Sequence, residues 1–492
     1  MSEAPVSGRI VFKAFAWFFA ALSMVALLSP PGATHDEWYH ATSIWCGHGV
    51  RALYCSEIGD DPKIGYSAAT NLDAINCQRG REEPLLCPTG RSKENRFQVN
   101  DGQYPGLFYF SFSWLVVPSV DVSFVLMRVV NALLISSLLA MAFWLLPPRH
   151  RLVLFLVVLT TFTATGYMLF ASINPSSWTS IGVGLGWLCI HAALVSIRPE
   201  ARRRAALLSL GAVLSLMAVG SRWDAIPFVL FAISLAIFHA AWVRYPNIRK
   251  RLMAAAVSIP VIGFAVLRMF APARLYFDPG LLYRYDTSER DNLAFLSENL
   301  LQGVPNALRA LGTVPSMDGI VMPDLVFIAA LTLLGFVITR TFAAGERVQI
   351  VGLIVISVVI AFVIAAQVAL IDDRDSGGVE PRYVYPLLLL AIGWWYLTGP
   401  SDLPERVARY LRSVSGVAVA LFGLALFVPT ERFVDRQTYG IRYLPEGPDQ
   451  WWWSWMPFGP NVVFVLAVVC LWLSFRSLAQ ILQPRADIGE PV

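Results

Sequence analysis

The chain has 492 residues, 56% of them hydrophobic and only 15% charged, with a mean hydropathy of +0.57. A soluble protein of this length could not bury so much apolar surface, so the composition points to a polytopic membrane protein. The net charge of +4 is small and gathers in arginine clusters at the ends of apolar runs, so it speaks to topology and gives no reason to expect nucleic acid.

Runs long enough to cross a hydrocarbon core of ~30 Å fall near residues 14–29, 122–146, 152–171, 176–197, 205–220, 224–243, 252–271, 322–339, 348–370, 382–398, 413–429 and 461–477. These predict an all-α protein of about twelve transmembrane helices, a single integral membrane domain over residues 1–492. The first run follows Arg9 and Lys13 and has no convincing small-residue cleavage site, so it reads as a retained helix. The connections "PPRHR" (147–151), "RPEARRR" (198–204), "RYPNIRKR" (244–251), "TRTFAAGER" (339–347) and "PERVARYLR" (404–412) share the side of the N-terminus, which the positive-inside rule makes cytoplasmic. The other side receives three long polar segments, 30–121, 272–321 and 430–460, expected to be structured extracytoplasmic loops.

The first of these loops opens with "SPPGATHDEWYHATSIW" (29–45), which puts His35, Asp36, Glu37 and His40 at the mouth of the first span. Pro30, Pro31 and Gly32 end that span, and Thr34 followed by Glu37 matches a capping box in which Glu37 bonds back to the Thr34 amide. Asp36 lies in the first helical turn with His40 one turn later on the same face. It is either a helix-dipole carboxylate beside a surface histidine, or a base that takes a proton from a hydroxyl, oriented by His40 or by a divalent metal the two share. Cys46, Cys55, Cys77 and Cys87 lie in the same loop, where an oxidising compartment permits disulfides in any of three pairings. Cys189 and Cys470 fall in apolar spans and read as packing residues.

Further along, "NDGQYPGLFYF" (100–110) is too short to span and reads as interfacial. "MR" at Met127 and Arg128, "INPSSW" (173–178) with Asn174, "SRWDA" (221–225) with Arg222 and Asp224, and "GGVEPRYVYP" (377–386) with Arg382 and Tyr383 all stand at external span ends. Guanidinium groups bind phosphate bidentately, so Arg128, Arg222 and Arg382 are either phosphate ligands or anchors that snorkel to lipid headgroups. "WWWSW" (451–455) heads the last span as an interfacial belt or as a platform for a sugar or lipid.

In sequence, "PPGATHDEWYH", "QYPGLFYF", "MRVVNALL", "INPSSW" and "PRYVYPLLLL" resemble the bacterial membrane-protein family catalogued as domain of unknown function 2142, over about residues 15–400. That family resembles the GT-C glycosyltransferases. It usually has Asp where Ser176 stands here, and a span-end Lys of the family corresponds to Arg222. The resemblance implies transfer of one sugar from a polyprenyl-phosphate donor to a glycan or glycolipid of the cell envelope, on the external face of the bacterial inner membrane. In that scheme Asp36 is the base with Glu37 adjacent, and the donor phosphate meets Arg382 and Arg222. Several cell-envelope arabinofuranosyltransferases share the architecture, which suggests a pentofuranose donor.

The competing reading is a transporter or lipid-linked glycan flippase, which should show repeated halves and charges at the bilayer midplane; no self-similarity between halves is evident. A non-catalytic assembly partner is a third. No Walker-type GxxxxGK[ST] occurs, which argues against a nucleotide-sugar donor.

Overall fold

A computed structural model describes residues 7–29, 31, 34, 37–47, 55–57, 66–68, 104–162, 164–195, 201–244, 347–370, 381–398, 415–417, 419–420, 453 and 455–482. Its first helix, α1 (Gly8–Leu27), is followed by the short α2 (Glu37–Trp45) and by a two-stranded antiparallel ribbon, β1 (Cys55–Glu57) with β2 (Tyr66–Ala68), in which Cys55 faces Ala68. Then come α3 (Gly106–Ser113), α4 (Val120–Leu145), α5 (Pro148–Thr161), α6 (Ala164–Phe170), α7 (Ser176–Val195), α8 (Ala201–Ser221) and α9 (Ala225–Arg244). The remaining helices are α10 (Arg347–Leu370), α11 (Pro381–Thr398) and α12 (Pro460–Leu482).

Among the described residues six helices, α1, α4, α7, α8, α9 and α12, are long and apolar enough to cross a membrane, and α10 and α11 carry the shorter apolar stretches Ile350–Ala361 and Tyr383–Thr398. The expected spans at 252–271 and 322–339, most of that at 413–429, and the loops at 272–321 and 430–450 lie outside the described residues. The expected span at 152–171 is two helices. Phe162, at φ −76° and ψ 66°, ends α5, and the Thr161 carbonyl, cut off from the helical ladder, accepts the Tyr385 hydroxyl at 2.9 Å. Gly166 makes room for that tyrosine, because a Cβ there would strike its hydroxyl.

At the centre stands α7, packed on α8, α9 and α11. Its Gly182 and Gly186 face α8 and its Gly184 faces Leu389 of α11; a side chain on Gly182 would collide with the Leu214 carbonyl, so small residues set the helix spacing. The ends of the chain meet, with α1 lying along α12 as well as α4. Phe12, Leu133, Leu216, Val358 and Val465 are exposed on the outer faces, as expected where lipid rather than water is the solvent.

The bundle has two chemically distinct ends. At one end the arginines seal helix C-termini, where the last carbonyls lack partners and the macrodipole is negative. Arg151 donates to the Phe143 and Trp144 carbonyls, and Arg203 to those of Leu145 and Leu146 at 2.7 and 3.0 Å. Arg149 donates to Leu397 and Arg244 to Leu194. The clusters that suggest a cytoplasmic face from sequence thus also close α4, α7 and α11.

Candidate functional site

The opposite end gathers the α1–α2 connection, α3, the start of α4, the α6–α7 and α8–α9 turns and the start of α11. Here the family motif "MRVVNALL" finds its physical sense. Arg128 and Asn131 lie three residues apart, on one face of α4. Arg128 is completely buried and its side chain is committed to the protein. Its Nε donates to Glu37 Oε1 at 2.8 Å and its Nη2 to Glu37 Oε2, while its Nη1 donates to the Ala26 and Ser29 carbonyls at 2.8 and 2.7 Å. Glu37, equally buried, also accepts the Ile173 amide at 3.2 Å. One turn on, Asn131 donates to the Phe170 and Ser172 carbonyls and accepts the Trp178 indole N–H at 3.0 Å. Together they brace α4 against the end of α1, the start of α2 and the α6–α7 turn.

This arrangement revises three sequence expectations. No capping box forms: the Glu37 amide donates to the Thr34 carbonyl at 3.1 Å, but its carboxylate turns to Arg128, and the buried Thr34 hydroxyl has no partner among the described residues. Arg128 is neither a lipid anchor nor an open phosphate ligand, and Glu37 is its counter-ion, because burying either alone would leave an uncompensated charge. Trp453 is no belt residue: it is buried and donates to the Leu27 carbonyl at 2.8 Å, whereas Trp455 is exposed.

Above this brace lies an open-ended cluster. His40 is buried on α2, with Nδ1 3.0 Å from the Tyr109 hydroxyl of α3 and its ring edge-on to Tyr104 at 5.3 Å. Tyr104 in turn stacks on Arg222, whose guanidinium carbon lies 5.6 Å from that ring and 4.6 Å from the ring of Tyr383. Arg222 grips Asp224 through two bonds of 2.8 and 2.6 Å and donates to Ser176 Oγ at 2.9 Å. Burial works against its charge, but the Asp224 carboxylate outweighs this and, with Tyr104 and Tyr383, holds the guanidinium well above the ordinary arginine value. The Asp224 side chain remains 37% exposed, so the pair reaches the surface. Asn174 Oδ1 accepts the Ser176 amide at 2.9 Å, which fixes the first turn of α7 and so aims Ser176 at Arg222.

Of the residues singled out from sequence, His40, Arg222, Asp224, Tyr383 and Asn174 therefore meet in one cluster, and Arg128 and Glu37 stand behind it. Asp36 lies outside the described residues, immediately before Glu37 in the chain; Arg382 is on the first turn of α11, its side chain outside the described set. Among the described residues no group of three or more His, Cys, Asp or Glu is arranged to hold a metal ion. Tyr104, Tyr109 and Ser176, which complete the cluster, lie in motifs evident in the sequence, but no spacing marks them as neighbours. Cys189 and Cys470 are free and buried in α7 and α12.

No curated protein and no solved structure matches the chain. Residues 18–308, more than half of its length and the part that builds most of this cluster, match the family described as "Predicted membrane protein (DUF2142)", and the chain belongs to that family.

Proposed function

We propose that this protein is an inverting membrane glycosyltransferase of the GT-C type. It moves one sugar, with arabinofuranose the favoured candidate, from a polyprenyl-phosphate donor to a cell-envelope glycan or glycolipid on the external face of the bacterial inner membrane. The observation that carries this reading is the meeting of His40, Tyr104, Ser176, Arg222, Asp224 and Tyr383, from five chain segments, at the bundle end that holds Glu37, the residue that follows Asp36 in sequence. In the reaction an acceptor hydroxyl attacks the anomeric carbon and passes its proton to Asp36. The bond from that carbon to the phosphate oxygen breaks, and the electron pair leaves on the polyprenyl phosphate. Arg222 supports the departing charge: Asp224 and Ser176 engage three of its N–H groups and a guanidinium carries five. Arg382, on the same turn as Tyr383, is the second phosphate ligand of this scheme. His40, held by Tyr109, orients the acceptor.

The test is turnover of radiolabelled polyprenyl-phosphate sugars by the purified protein in lipid. Asp36→Asn is expected to lower it by about 10² or more with the thermal unfolding midpoint retained, and near-normal turnover would remove Asp36 from the mechanism. The same scheme has residues 30–121 outside the cytoplasm and Cys46, Cys55, Cys77 and Cys87 in disulfides. Alkylation of intact protein should then require reductant at these positions; rapid labelling of all four without it would contradict the pairing.

A further inference from the structure

A second cluster of ionisable groups lies at the arginine-rich end, away from the proposed transfer site. His150 is the third residue of α5, His191 stands four residues before the end of α7, and His239 five before the end of α9. All three are buried. His150 Nε2 lies 3.0 Å from His191 Nδ1, and His191 Nε2 lies 2.8 Å from His239 Nδ1. The rings follow one another at 5.2 and 5.0 Å with tilts of 36° and 32°, and the last stands edge-on to Trp394 of α11 at 5.1 Å. Ionisable side chains at membrane depth are costly to bury and call for a reason.

The pattern of nitrogens decides between the two usual ligands of a histidine cluster. His191 spends both ring nitrogens, one towards each neighbour, on opposite sides of its ring. No single metal ion can therefore touch all three residues. A proton fits. Four nitrogens form the two junctions, and each junction holds one hydrogen, while the outward nitrogens, His150 Nδ1 and His239 Nε2, are free to carry the rest. With three protons the chain is neutral and one outward nitrogen is bare; with four it carries one positive charge and both junctions survive. A fifth would set two N–H groups face to face and break a junction.

The surroundings are consistent with a mobile proton rather than a fixed ion pair. Arg149, beside His150, is directed to the Leu397 carbonyl, Arg151 to α4, Arg244 to Leu194 and Arg203 to the end of α4. Arg202, Arg204 and Arg476 are exposed, and Arg476 lies over Trp472 on α12. The carboxylates among the described residues, Glu37, Glu57, Asp121 and Asp224, sit on segments of the opposite end. His150 Nδ1 is buried with no partner among the described residues, as is the indole N–H of Trp187, whose ring packs against His191.

We propose that His150, His191 and His239 form a proton-binding relay that takes up one proton at the arginine-rich end and shares it across α9, α7 and α5. A proton added at a bare His239 Nε2 releases the Nδ1 proton to His191 Nε2, and His191 then gives its Nδ1 proton to His150 Nε2. One proton enters, none leaves, both hydrogen bonds reverse direction, and the added charge ends on His150. Each histidine lies within about two turns, on the order of 8 Å, of its helix end, so the relay runs at one depth and does not cross the bilayer.

The test is solid-state NMR of the full chain in lipid, with ring-¹⁵N histidine and each of the three resonances assigned by its own substitution. Nitrogen–nitrogen couplings are expected between His150 and His191 and between His191 and His239, and on acidification both should persist while the first added proton moves the shifts of all three rings together. His191→Phe should abolish both couplings; His150→Phe, the milder variant, should abolish one, keep the His191–His239 coupling and leave His40 unchanged. Three rings that titrate independently without coupling would overturn the relay. So would stoichiometric zinc shifting all three at once, which would make the cluster a metal centre.

Discussion

The two ends of the bundle handle charge in opposite ways. At the Glu37 end, acids and bases are brought together: Arg128 with Glu37 in the interior, and Arg222 with Asp224 at its edge. At the His191 end no carboxylate appears among the described residues; arginines face helix carbonyls and three buried imidazoles are bonded to one another. Paired opposite charges neutralise each other and fix geometry. Imidazoles bonded to one another form no such ion pair.

The sharpest way to break this contrast is to remove one partner from the interior pair. Glu37→Ala should cost about 3–5 kcal/mol, because Arg128 would remain buried without a counter-ion, and replacing both by Met should recover much of the loss. Denaturant or thermal unfolding in detergent measures it, and a Glu37→Ala protein as stable as the parent would show that the brace is not ionic. Next in size is Arg222→Ala, which should weaken binding of a polyprenyl-phosphate sugar about tenfold to hundredfold, the weight of charge-assisted bonds of about 1.5–3 kcal/mol. Unchanged affinity would reduce Arg222 to a clamp for Asp224. Asn131→Leu should cost about 1–3 kcal/mol, since the Trp178 indole and the Ser172 carbonyl lose their partner in the interior. The smallest effect belongs to the other end: Arg203→Ala, which uncaps α4, should lower stability by about 0.3–1 kcal/mol and less at high salt. A loss as large as that of Glu37→Ala would make the two ends equivalent.

Much of the Glu37 end is legible in the sequence, because "HDEWYH", "NPSS", "SRWD" and "PRY" each place polar residues at the mouth of an apolar run. What a run cannot reveal is which mouths adjoin. Arg128 and Glu37 are 91 residues apart, and nothing local marks Arg128 as buried rather than snorkelling. The capping-box pattern at Thr34 misleads for the same reason: a local bond competes with a tertiary one, and the buried guanidinium offers Glu37 the stronger partner. The histidine chain leaves little trace, since His150 lies between Arg149 and Arg151 whereas His191 and His239 lie inside apolar runs, well before Arg198 and Arg244. Only the packing of α5 and α9 against α7 makes the rings neighbours. The break after Thr161 has no proline or glycine at the site to announce it.

The last turn of α1 depends on parts of the chain made much later. Its Ala26, Leu27 and Ser29 carbonyls are met by Arg128, 102 and 99 residues on, and by Trp453, 426 residues on. A first span that enters the membrane ahead of these segments lacks the Arg128 bonds until α4 follows it, and the Trp453 bond until much later. The end of α1 is therefore finished in two stages, by α4 first and by the segment leading into α12 last.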